Sequence, residues 1–175
     1  MKKIEADQFN SWNLSKRLLP LCRYFAVLLH KNRNMSKIES VTTKWLNNMA
    51  FETDINGHKI IIDAVPEVGG ENLGPRPKPF MLAALGGCTA MDVISILRKM
   101  HVEVAKFNVT VDGDLTEEFP KHFFKMHVTY EFTGIDLPLD KLQKAVSLSE
   151  EKYCGVSAVY KKAMEITSEI KVIEG

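Results

Sequence analysis

The apolar pattern divides the chain near residue 35. Residues 1–34 mix scattered basic residues with one apolar run, Leu18 to Leu29, which Pro20 and Arg23 interrupt. From Ile38 onward the pattern becomes regular. The runs Ile38–Leu46 and Ala50–Ile55 have strand length and are separated by Asn47-Asn48. Asn56-Gly57 is a strong two-residue hairpin signal, because both positions tolerate positive φ, and Lys59–Ala64 is its return strand. A β-meander is therefore expected to open the domain. Residues 65–79 are rich in Gly and Pro, and Pro75, Pro77 and Pro79 hold off a helix. Pro79 itself suits a first helical turn, where its missing N–H costs nothing.

Phe80–Met100 reads as a long helix, apolar nearly all round as far as Ala90, so a buried rather than an amphipathic helix is expected. Gly86-Gly87 within it costs about 1 kcal/mol per residue relative to Ala, the sign of a close approach or a local distortion. Val102–Val111 reads as a strand, residues 112–120 as a charged connection, and His122–Phe132 as a second strand with Phe124, Met126, Val128, Tyr130 and Phe132 on one face. A helix follows from Leu139 to about Glu151. A short one over Cys154–Ala163 is either continuous with it or kinked at Gly155. Glu165–Ile173 is the last strand. Helices and strands do not alternate strictly, so the fold class is α+β.

Composition excludes more than it assigns. The 175 residues carry 23 basic and 22 acidic side chains, a net charge of +1, so no global field draws nucleic acid or an anionic membrane. The run at Leu18–Leu29 is too short to span a bilayer and lacks a small-residue cleavage site. The expected organisation is an N-terminal extension, residues 1–34, ahead of a natural start at Met35, then one domain over residues 35–175. The rival reading of the extension is an amphipathic helix near residues 12–30. The expected compartment is the cytoplasm. Three cysteines are too few for a disulfide scaffold. With no zinc-finger spacing among Cys and His, neither a structural metal nor a cofactor is expected.

The chemistry-bearing residues are Cys88, in Leu85-Gly86-Gly87-Cys88-Thr89-Ala90-Met91-Asp92, and Cys154, in Glu151-Lys152-Tyr153-Cys154-Gly155. Either both are buried core thiols, as free cysteines commonly are, or they form a redox pair that the fold brings together. A reactive cysteine needs a stabilised thiolate. Cys154 has Lys152 beside it and a helix start nearby, and Cys88 has Arg76 and Lys78 in the preceding loop as candidates. His30, His58, His101, His122 and His127 lack the spacing of a Cys–His pair and are expected at the surface. Cys22 has no motif around it.

The stretches Leu82–Val93 and Leu148–Cys154 resemble the two signature regions of the OsmC/Ohr family (osmotically inducible protein C and organic hydroperoxide resistance proteins), and the element order from Ile38 to Ile173 agrees. The resemblance implies an α+β fold, with antiparallel sheets around a long central helix in an intertwined homodimer. It implies a thiol peroxidase acting on organic hydroperoxides, with Cys88 peroxidatic, Cys154 resolving and a dithiol as reductant. The chain departs from the family pattern in one place. The turn Arg76-Pro77-Lys78-Pro79-Phe80 lacks the acidic residue that characterised members place before the first cysteine, so no Arg–Glu partner is carried over. Two other readings stand beside the peroxidase: a non-enzymatic dimeric module for a small apolar ligand, and a redox sensor.

Overall fold

The computed structural model describes residues 38–175. The proposed extension, Cys22, His30 and the alternative helix at residues 12–30 lie outside the described residues. The unit Val41–Gly175 holds two three-stranded sheets and three α-helices: β1 (Thr42–Asn47), β2 (Ala50–Ile55), β3 (His58–Ile62), α1 (Pro79–Lys99), β4 (Lys106–Leu115), β5 (Phe123–Thr133), α2 (Leu139–Leu148), a π turn (Ser149–Tyr153), α3 (Gly155–Tyr160) and β6 (Glu165–Ile173).

The first sheet is the expected meander, with strand order β1-β2-β3, all antiparallel. Its second turn is built as the sequence requires. Asn56 and Gly57 both take positive φ, 53° and 84°, and the Gly57 N–H donates to Asp54 Oδ1 at 2.9 Å, which fits a type I′ hairpin. The loop after β3 is organised by Asp63, a buried carboxylate. Its oxygens accept the backbone N–H groups of Ala64, Glu71 and Leu73 at 2.7, 2.9 and 3.1 Å. Those bonds, the one from Leu73 foremost, hold its pKa below the ordinary value against the opposing effect of desolvation. The loop runs into α1, which starts at Pro79 with the proline in the first turn as expected.

The second sheet has order β4-β5-β6. β4 and β5 are antiparallel, whereas β6 runs parallel to β5, so this sheet is mixed. Leu85, Val93, Ile96 and Leu97 of α1 join Phe123, Met126, Val128, Tyr130 and Phe132 of β5, together with Leu142, Ala145 and Val146 of α2, in one core. Phe107 and Phe132, paired across β4 and β5, stack with ring centroids 4.6 Å apart.

Three expectations need correction. The first concerns Val102, which does not begin a strand. It closes α1, because its N–H donates to Leu97 O at 3.0 Å past a left-handed His101 (φ 54°), and its side chain is buried. β4 then spans Lys106–Leu115 rather than 102–111. Its half-buried face continues Phe107, Val109, Val111, Gly113. Glycine at the fourth position hides the alternation, so residues 112–115 look like a connection.

The second correction concerns β5, in which Phe123 is buried and Phe124 exposed. A register irregularity pairs Leu115 with Phe123 and Asp114 with Lys125. Phe124 is the unpaired extra residue of that bulge, and the bulge switches which phenylalanine faces the core.

The third correction concerns α1. By length and composition it could cross a bilayer, and a helix apolar on all sides should be buried. It instead buries one face on β4 and the helices and leaves Ala83, Ala84, Gly87 and Met91 exposed, Met91 at 72%.

The two helix glycines differ for this reason. A Cβ at Gly86 would lie 3.2 Å from Val111 Cγ2, whereas one at Gly87 meets nothing within 4 Å. The tightest approach in the sheet is at Gly113, where a Cβ would lie 2.7 Å from the Phe123 ring and 2.8 Å from Leu82 Cδ2. Phe123 is held in the core and cannot swing away. Gly113→Ala is therefore expected to destabilise the fold by about 1–3 kcal/mol through overpacking, read as a lowered urea midpoint. An unchanged or raised midpoint contradicts the packing described.

Candidate functional site

Cys88 sits in the third turn of α1, on the edge between its buried and exposed faces. Thr89, next to it, points inward and donates its hydroxyl to Leu85 O at 2.9 Å. Asp92 follows four residues after Cys88, one turn along the same face. Cys154 arrives from the other end of the domain, and the π turn determines how. Within Ser149–Tyr153 the backbone widens, so that the Cys154 N–H donates to Ser149 O at 2.8 Å, five residues back. The chain leaves helical geometry at Cys154 (φ −72°, ψ 104°) and starts again at Gly155. The expected kink thus falls at Cys154, which becomes the N-cap of α3. Its Sγ accepts the Ser157 N–H at 3.3 Å.

Cys88 Sγ, Cys154 Sγ and a carboxylate oxygen of Asp92 all lie within 4.8 Å of one another. Both thiols are free. Cys88 is half-buried, and Cys154 is 2% exposed. Burial drives the Cys154 thiol up to about 11, and its hydrogen bond with Cys88 adds to the rise. The Ser157 N–H opposes it and is outweighed. Cys154 is therefore a neutral thiol at physiological pH.

A polar frame surrounds the pair. Ser149 Oγ donates to Asp92 Oδ2 at 3.3 Å, and Tyr130 OH donates to Glu150 Oε1 at 3.1 Å. Burial raises the Tyr130 pKa above its ordinary value, and the negative charge of Glu150 works in the same direction, so the phenol stays a donor. A groove of about 290 Å³ lined by Asp92, Ser95, Lys99, Leu148 and Tyr153 lies beside this cluster.

The two cysteines singled out by sequence come together, and the helix start expected near Cys154 is α3, which it caps; Arg76 and Lys78 do not join them. Arg76 and Lys78 line a separate cavity of about 620 Å³, with Met49, Phe51, Val68 and Phe123 among its apolar walls. The described histidines lie elsewhere. His127 Nδ1 is 2.8 Å from Thr167 Oγ1, His122 Nδ1 is 2.8 Å from Pro120 O, and His58 and His101 are exposed. Sequence reading missed Asp92, although it ends the motif that carries Cys88. The family pattern puts an acidic residue before the helix, whereas here the carboxylate lies one turn after the cysteine. It also missed Ser149, Tyr130 and Glu150, whose roles depend on the π turn.

Burial and the raised pKa of Cys154 make an order of reactivity. In native, reduced protein, Cys88 is expected to alkylate first. Cys154 should label slowly, its rate still rising with pH well above 9 because the reactive thiolate is gained only as pH approaches about 11. Labelling followed by peptide mass spectrometry checks this. Equal rates, or a Cys154 rate that levels off near neutrality, would contradict the site as described.

The family description "OsmC-like protein" matches residues 69–169, the segment that holds both cysteines. Protein YhfA of Escherichia coli is 34% identical over 131 residues, covering 74% of this chain and 95% of its own. A hypothetical protein from Aquifex aeolicus superimposes with a TM-score of 0.67 at 27% identity, over 78% of this chain and 98% of its own. The organic hydroperoxide resistance protein OhrB of Bacillus subtilis shares the fold, with a TM-score of 0.57 at 15% identity, over 77% of this chain and 98% of its own. With the family pattern running through both thiol-bearing segments, the chain belongs to the OsmC-like protein family.

Proposed function

We propose that this protein is a thiol-dependent peroxidase that reduces organic hydroperoxides, with Cys88 as the peroxidatic and Cys154 as the resolving cysteine. The observation that carries the reading is the approach of the two sulfurs to within 4.8 Å from distant parts of the chain. The name of the fold neighbour OhrB, an organic hydroperoxide resistance protein, supports the substrate class. In the first step the Cys88 thiolate attacks the terminal peroxide oxygen. The O–O bond breaks, the alkoxide leaves and takes a proton to become an alcohol, and Cys88 becomes a sulfenic acid. Cys154 then attacks that sulfur, giving a Cys88–Cys154 disulfide and water. A dithiol reductant restores both thiols by two exchanges and leaves as its own disulfide. Cys154 must lose a proton as it attacks, and Asp92 is the carboxylate placed to receive it. Such a cycle needs a reducing compartment, and we assign the enzyme to the cytoplasm.

We also propose that the working unit is a homodimer. Two faces of one chain support this. The apolar side of α1 at Ala83, Ala84, Gly87 and Met91 is exposed, and β1 is exposed along its whole length, Trp45 at 66%. A second copy covering both faces would bury an apolar helix that is otherwise half-solvated.

Purified protein is expected to consume cumene or tert-butyl hydroperoxide in the presence of dithiothreitol. Cys88→Ser should lower that turnover by at least about 10³-fold, since no other group replaces the nucleophile. Wild-type protein without turnover, or full activity in Cys88→Ser, would sink the peroxidase reading. Persistent turnover failure with a co-purifying apolar molecule in native mass spectra would favour the ligand-binding module instead. For the assembly, light scattering behind size exclusion should give a mass of two chains, and Ala84→Glu combined with Met91→Glu should give one. A monomeric wild type contradicts the dimer.

A further inference from the structure

We propose that the reduced site is also a binding site for a thiophilic divalent cation of the zinc class, held by Cys88 Sγ, Cys154 Sγ and the Asp92 carboxylate. The three donor atoms lie within 4.8 Å of one another. A triangle of that size puts its centre no more than about 2.8 Å from each corner, against about 2.3 Å for a Zn–S bond and about 2.0–2.2 Å for Zn–O. Three tetrahedral legs of those lengths set the donors about 3.6–3.8 Å apart, so side-chain adjustments that close the triangle by up to about 1 Å complete the site. The donor set suits the ion: two soft sulfurs select a thiophilic metal over magnesium or calcium, and one carboxylate adds charge.

Three further observations support the site. Two of the ligands, Cys88 and Asp92, are one turn apart on a rigid helix, so their spacing is fixed before any ion binds. The Ser149 hydroxyl donates to Asp92 Oδ2 at 3.3 Å, the kind of outer contact that aims a ligating oxygen. Among the described residues Asp92 forms no ion pair with a lysine or arginine, so its carboxylate is not tied up in a salt bridge there. Asp92 also lines the groove with Leu148 and Tyr153, so one of the three donors borders open space. Zinc-finger spacing does not reveal such a site, because the fold and not the local sequence assembles it.

The inference does not depend on the peroxidase reading. It carries a consequence for any thiol chemistry at the pair: the ion and the Cys88–Cys154 disulfide exclude each other, since both use the same sulfur valences. A loaded site is a capped site. Its thiols resist alkylation and oxidation until the ion is removed.

The test titrates Cd(II) into full-length, reduced protein in a Cys22→Ser background, so that every thiolate signal comes from the pair. The expected result is a saturable thiolate-to-cadmium absorption band at one ion per chain, displaced by Zn(II). Asp92→Asn should weaken it by at least about tenfold, since even an outer-shell partner is worth that much. Cys154→Ser should halve the band. Oxidation of the Cys22→Ser chain to the Cys88–Cys154 disulfide, with both ligands still in place, should abolish it. Absence of a saturable band, a band that survives oxidation, or an affinity indifferent to Asp92→Asn would each overturn the proposal.

Discussion

The site depends on one constraint, the meeting of two helical segments at Cys88 and Cys154. α1 is pinned to the second sheet by Leu85, Val93, Ile96 and Leu97, and Gly86 lets its backbone come close to Val111 on β4. That fixes where Cys88 stands. The α2–π turn–α3 segment is pinned by Leu142, Ala145 and Val146 on one side and by Cys154 itself on the other. The π turn then supplies the offset that presents Cys154 toward α1 instead of carrying it around the helix. An ordinary α-helical turn through Ser149–Tyr153 would rotate Cys154 by most of a residue's arc, about 100°, and the two sulfurs would no longer face one another.

The environments of the two thiols differ because the packing differs. Cys88 is on the margin of the core, with a carboxylate one turn away. Cys154 is inside it, with its thiol driven well above the free value by burial. A cysteine that stays protonated is poorly suited to attack a peroxide and well suited to wait for a sulfenic acid formed beside it. The burial of Cys154 supports the division of labour that the family resemblance implies and that we propose for the pair.

Much of the fold was legible in the sequence because its signals are local. Asn56-Gly57 specified a hairpin, Pro79 a helix start, and the stretch Glu165–Ile173 a strand with those same ends. The misreadings share a physical cause. Gly113 on the inner face of β4 interrupts an apolar alternation without interrupting the strand. The bulge at Phe124 exchanges two adjacent phenylalanines between faces. Val102 serves a helix terminus though its neighbours resemble a strand. The first two depend on long-range pairing that no local pattern encodes, and the third on a local turn at His101 that its residue types do not announce. The site divides in the same way. Cys88 and Cys154 stood out by their motifs, whereas Ser149 and Glu150 take their positions from a π turn with no recognisable signature, and Asp92 gains its partners only when that turn is brought against α1. The exposed apolar face of α1 is a further case: the sequence demanded that it be covered, and a single chain covers only half of it.

The central claim is that the two sulfurs act on one another. Its most direct measurement is a peptide map of reduced protein after one equivalent of cumene hydroperoxide, quenched by acid and alkylated without reductant. The account predicts loss of two thiols per hydroperoxide and a crosslinked pair of peptides containing Cys88 and Cys154 from the same chain. Cys88 oxidised with Cys154 still free, or a disulfide that joins either residue to Cys22, would contradict it.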